Sequence, residues 1–209
     1  MPPKRVILFD LDGTLTYGVS TTRFIFRQMG EETFFRKLEE DWLVEKTNHL
    51  TLAKKVTRRM KGWKLAQIHR ALDLIPKMRG IRETVRELKK KGHLLAISTL
   101  GYELSARYFM DRYGFDEVRG TTLEIKEGRV TGRGMSIFEE HEKALYLKDL
   151  AKRLQVPLKH TIVLGDSRSD REVFKVAGKR ITVNPDRFLH GQGDWELIGR
   201  DLRHVLKHL

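Results

Sequence analysis

The segments Val6 to Phe9, Leu94 to Ile97 and Thr161 to Leu164 carry apolar residues at nearly every position. Successive side chains of a strand point to opposite faces, so runs of this kind are buried on both sides. Parallel strands sandwiched between two layers of helices meet that requirement. The surrounding sequence supplies the helices. Residues 5–10 predict the first strand, closed by a polar cluster containing Gly13. Residues 81–91 predict a helix stopped at Gly92, followed by a strand over 93–97. A helix over 103–112 precedes a hairpin turning at Glu127-Gly128, with strands 122–126 and 129–131. A helix over 139–154, a strand over 161–164, a helix over 170–176, a strand over 180–183 and a final helix complete the pattern.

One block breaks this alternation. From Thr21 to Asp73 apolar residues recur at helical spacing between charged ones, with no strand signal. The expected architecture is therefore α/β: a Rossmann-like doubly wound parallel sheet formed by residues 1–16 and 80–209, with a small all-helical cap domain inserted at 17–79. A chain of 209 residues is long enough for such a core and cap. The cap's apolar pattern is accounted for by its own core and sets no oligomeric state.

Composition narrows the chemistry. The chain has no cysteine, which excludes disulfide scaffolds and thiolate metal sites. Its longest apolar runs fall far short of the roughly 20 residues of a membrane helix. Met1-Pro2-Pro3-Lys4-Arg5 leads straight into the first strand, so a cytoplasmic location without membrane attachment is expected. A net charge of +13 points to an anionic partner: nucleic acid, an acidic membrane surface or a small phosphorylated molecule. Nucleic acid is the weaker choice, because no binding module accompanies the charge.

Asp10 and Asp12 follow the first strand, at the carboxyl edge where open α/β sheets bind ligands. A second acidic loop, Gly165-Asp166-Ser167-Arg168-Ser169-Asp170, follows another strand and so reaches the same edge. Carboxylates gathered there need a cation or a shared proton, and their oxygens suit Mg²⁺. Ser98 and Thr99, at the expected end of the strand over 93–97, offer hydroxyl and backbone donors. Lys143, opening the helix before the Asp166 strand, offers an ammonium. A carboxylate nucleophile, a divalent metal, a hydroxyl donor and a lysine together are what phosphoryl transfer requires.

These four segments resemble the motifs of the haloacid dehalogenase superfamily of aspartyl-phosphate phosphatases. They run in order as Asp10-Leu11-Asp12-Gly13-Thr14, a Ser or Thr after the second core strand, a Lys, and the Gly165 to Asp170 loop. The resemblance covers nearly the whole chain and is strongest to the phosphoserine phosphatase-like branch. It implies Asp10 as nucleophile and Asp12 as the acid that protonates the leaving oxygen and later activates water. It also implies Mg²⁺ held by Asp10, the Asp12 carbonyl and Asp166, with Asp170 supporting the site. Thr99, with Ser98 as the alternative, and Gly101 and Lys143 are implied at the phosphate. That branch places its lysine 23 residues before the second acidic loop's aspartate, which selects Lys143 over Lys148. The implied activity is a Mg²⁺-dependent phosphatase acting on a small phosphorylated metabolite.

The resemblance weakens in the cap. Val19 stands where the branch has a glutamate for a substrate ammonium, and Ser169 stands where it usually has asparagine. Arg58 or Arg59 of the cap either steers an anionic substrate or is solvated surface. Two further functions belong to different classes: phosphoryl transfer to an acceptor other than water, and nucleic-acid binding on a phosphatase scaffold. His204 and His208, four residues apart near the terminus, read as exposed histidines. Phe24, Phe34, Phe35, Trp42 and Trp63 read as cap core in preference to a substrate lid.

Overall fold

A computed structural model describes residues 3–209; Met1 and Pro2, part of the amino-terminal segment read above, lie outside the described residues. Strands β1 (Val6–Phe9), β2 (Leu94–Tyr102), β3 (Glu117–Lys126), β4 (Arg129–Ser136), β5 (Thr161–Gly165), β6 (Lys179–Val183) and β7 (Trp195–Leu197) form a single sheet in the order β4-β3-β2-β1-β5-β6-β7. Every pairing is parallel except β3 with β4. Helices α1 (Thr21–Gln28), α2 (Glu32–Leu43), α3 (His49–Arg59) and α4 (Leu65–Leu74) follow β1. Helices α5 (Ile81–Lys90), α6 (Glu103–Tyr113), α7 (Glu140–Arg153) and α8 (Arg171–Phe174) complete the set.

The central strand shows why both faces must be covered. Ile7 and Phe9 pack into one apolar cluster with Leu95, Ile97, Ile162 and Leu164. Val6 and Leu8 pack into a second, with Ala96, Leu147, Leu150 and Val163. All four β1 residues are fully buried, each contributing on the order of 1.5–3 kcal/mol relative to exposure. A third cluster belongs to the helical block, with Ile25, Phe26, Phe35, Leu52, Val56, Met60 and Ile68 joined by Tyr102 of β2 and Val130 of β4.

Several expected elements differ. The strand over 93–97 runs on to Tyr102, so Thr99 lies inside β2 rather than in a loop after it. Ser98 pairs with Arg119 and Tyr102 with Thr121, so four steps of β2 face two of β3. The surplus residues bulge from the sheet, as bulges beside binding sites often do. The last helix is a 3₁₀ turn over Leu202–His208, and β7 was not expected. The helix expected over 170–176 begins as a 3₁₀ turn at Arg168–Asp170 and continues as the short α8. The hairpin turns where expected: Glu127 and Gly128 have φ of 49° and 69°, the positive pair that a two-residue β-hairpin favours. Both of its strands are longer than read.

The hairpin reaches the helical block. Gly62 N–H donates to the Val130 carbonyl at 2.8 Å and Val130 N–H to the Trp63 carbonyl at 2.9 Å. Leu65 N–H donates to the Gly128 carbonyl at 2.9 Å. No helix among the described residues is long and apolar enough to cross a membrane.

Candidate active site

Parallel strands β1, β2 and β5 end at one edge, and their loops converge there. Lys143, on the inward face of α7, is fully buried. Its Nζ donates to Asp10 Oδ1 at 2.6 Å, to Asp170 Oδ1 at 2.7 Å and to Ser169 Oγ at 3.3 Å. Burial opposes the lysine's charge, but the two carboxylates outweigh it and hold the ammonium protonated. Lys148 is exposed on the opposite side of α7.

Burial pushes the Asp10 carboxyl up to about 7 against the pull of Lys143, with Asp170 and Asp12 adding to the rise. Asp166 is raised well above the ordinary carboxylate range, first by burial and then by Asp10 and Asp170. Asp170 secures the loop: its Oδ2 accepts the backbone N–H groups of Asp166 at 3.2 Å and Ser167 at 3.4 Å. A Cβ on Gly165 would lie 2.5 Å from Asp170 Cγ, so only glycine lets this carboxylate sit under the loop.

One oxygen each from Asp10, Asp166 and Asp170 lies within 4.8 Å of the others. Asp166 Oδ1 is buried without a hydrogen-bond partner. Such a carboxylate is costly unless a cation completes it, and oxygen donors at this spacing fit a hard divalent ion. Gly13 approaches so closely, at φ +83°, that a Cβ there would collide with the Asp166 carboxylate.

Asp12 is held differently. Its Oδ1 accepts the backbone N–H of Thr21 at 2.6 Å, the first residue of α1. Burial raises its pKa and the Thr21 hydrogen bond lowers it. The Thr21 amide escaped the sequence reading, although Ser20 marks a helix start; its side chain accepts from Arg23 N–H at 3.2 Å.

The β2 bulge brings Thr99 and Gly101 to the same cleft, whereas Ser98 does not line it. Thr99 Oγ1 accepts the Gly101 N–H at 3.0 Å. A Cβ on Gly101 would come to 3.2 Å from both Asp12 Oδ2 and Thr99 Oγ1, leaving little room for a side chain. The cleft holds about 570 Å³ between the sheet edge and helices α1 to α3.

Arg58 and Arg59 are not among the residues lining it, and Arg59 instead bonds Glu31 and lies over the Phe34 ring. Arg23, Glu39 and His49 do line it. Phe35 and Trp42, expected as core, also face it; Phe24, Phe34 and Trp63 pack in the apolar clusters. Helical spacing marks a face but does not separate core from cleft wall. His204 is exposed and His208 stacks on Trp195 with ring centroids 3.9 Å apart.

The chain is similar to known proteins over most of its length. The family model for haloacid dehalogenase-like hydrolases matches residues 7–175. A phosphoserine phosphatase from Methanocaldococcus jannaschii is 28% identical over 207 residues, covering 99% of this chain and 98% of the relative. Another from Archaeoglobus fulgidus is 26% identical over 95% of this chain, which spans only 58% of that relative's length. A solved phosphoserine phosphatase with a phospho-aspartyl intermediate analogue superposes with a TM-score of 0.86 at 28% identity, covering 99% of each chain. With the sheet, the acidic edge and these matches in agreement, the chain belongs to the haloacid dehalogenase-like hydrolase family, as a phosphatase-like member.

Proposed function

We propose that the protein is a Mg²⁺-dependent phosphatase that hydrolyses a small phosphate monoester through an aspartyl-phosphate at Asp10. The observation that carries this is the buried Lys143 joined to Asp10 and Asp170, beside the unpartnered oxygen of Asp166. The phosphate-bearing core comprises residues 1–16 and 80–209, and the block at 17–79 acts as the cap.

Asp10 attacks phosphorus in line with the ester oxygen, forming the carboxylate oxygen–phosphorus bond as the ester bond breaks. Asp12 delivers a proton to the departing oxygen, and burial holds that proton available. Water then attacks the aspartyl-phosphate, giving its proton to Asp12 as inorganic phosphate leaves and the Asp10 carboxylate returns. Lys143 and the Thr99 hydroxyl offset the charge on the phosphoryl oxygens. Mg²⁺, held by Asp10, Asp166 and the Asp12 carbonyl, would supply further charge stabilisation there. Asp170 keeps Lys143 and the Asp166 loop in place.

The test is phosphate release from p-nitrophenyl phosphate and a panel of phosphorylated metabolites, with and without Mg²⁺. Asp10→Asn is expected to abolish release while leaving the melting transition in place. Persistent release by that variant, or release indifferent to Mg²⁺, would overturn the reading.

A further inference from the structure

The floor of the cleft is acidic, and the wall contributed by the helical block carries a run of apolar side chains. Beyond the aspartates that wall presents Val19, Phe35, Trp42, Leu52, Ala53 and Val56, beside the hydroxyls of Tyr17, Ser20 and Thr22. Phe35, Leu52 and Val56 are also members of the block's buried cluster, so the wall is fixed by packing rather than free to rearrange. Arg23 and Glu39 are the formally charged side chains that the block places in the lining.

Each of these already faces an opposite charge. Arg23 Nη1 lies 3.8 Å from Glu39 Oε2, while Arg23 Nε lies 3.1 Å from Glu32 Oε1. His49 adds no cation at neutral pH, because burial, and then Lys143, holds its pKa down at about 4. A carboxylate on a bound ester would thus meet no cation that lacks a counter-charge of its own in this lining, and burying it so is unfavourable. The volume of about 570 Å³ also falls in the range of sites that enclose a whole small molecule, beyond a phosphate alone.

We propose that the substrate is a phosphate monoester with a sizeable, uncharged and mainly apolar leaving group, and that the Val19–Phe35–Leu52–Val56 wall disfavours amino-acid esters such as phosphoserine. This deepens the phosphatase reading and rests on it. Selectivity of this kind grows by about fourfold for each methylene buried against the wall.

The test is calorimetric titration of the full chain, with Mg²⁺, against two phosphonates that cannot be hydrolysed: 3-phenylpropylphosphonate and 2-amino-4-phosphonobutanoate. The phenyl compound is expected to bind at least about tenfold more tightly. Equal or tighter binding of the amino acid, or no binding of the phenyl compound, would overturn the proposal. Leu52→Asn, and the milder Val19→Thr should Leu52→Asn fail to fold, are expected to shrink the ratio severalfold; an unchanged ratio would also count against the wall. Neither ligand turns over, so this result is independent of catalysis. The phosphatase reading fails separately if Asp10→Asn keeps releasing phosphate.

Discussion

Lys143 is the residue whose removal the site can least tolerate. Its ammonium is fully buried and satisfies two carboxylates that are themselves buried, at 2.6 and 2.7 Å. Deleting one partner of a buried charged set typically costs about 3–5 kcal/mol, because the remaining charges lose their counter-ion. Lys143→Met, which keeps the aliphatic stem, is therefore expected to lower the denaturant midpoint at neutral pH and to abolish activity. An unchanged midpoint would show that Asp10 and Asp170 do not depend on it. At this scale much of the cluster was legible: Asp10, Asp12, Asp166 and Lys143 stand in ordered motifs, and folding brings them to one sheet edge. The Thr21 amide was not legible, since a backbone donor leaves no residue-type signal. Nothing in the sequence set Arg23 and Glu39 apart from the block's other charged residues, yet folding places both in the cleft lining.

At the scale of elements, two departures from the regular pattern build the cleft. The bulge in β2 presents Thr99 and Gly101, and no sequence period announces where a strand will buckle. The β3–β4 hairpin does more than extend the sheet. It pairs through Val130 with the turn between α3 and α4, and Val130 is almost fully buried against the helical block. The turn at Glu127-Gly128 was readable from residue type; its docking was not, because it joins segments more than sixty residues apart. Val130→Asp would bury an unpaired charge at this junction, at a cost of about 3 kcal/mol. Amide exchange in α3 and α4 should accelerate well before exchange in β1 or β5. Uniform protection across the molecule would mean that the hairpin does not hold the block.

For the whole molecule, the net charge of +13 favours encounter with anionic substrates. Exposed charges act over a Debye length of about 10 Å at 0.1 M salt, so kcat/KM should fall severalfold between low and moderate ionic strength while kcat stays level. A flat kcat/KM would assign the charge to solubility alone. Charge could be counted from sequence, and so could the inserted helical block, because it interrupts a strand–helix rhythm. Which of the block's residues would face the sheet edge depended on how it docks. That docking has a further consequence at Asp12, which belongs to a core loop by chain position but is fastened to α1 by the Thr21 amide. On the proposed mechanism Asp12 is the proton donor, and this bond would act as an interlock that aligns it only while α1 is seated. Thr21→Pro removes the amide at a helical position that tolerates proline. Alkyl phosphates, whose alkoxide must be protonated, should lose about tenfold in kcat, while p-nitrophenyl phosphate, which departs unassisted, should change little. Equal losses on both would remove the interlock. Such an interlock would tie the breaking of the ester bond to a seated α1.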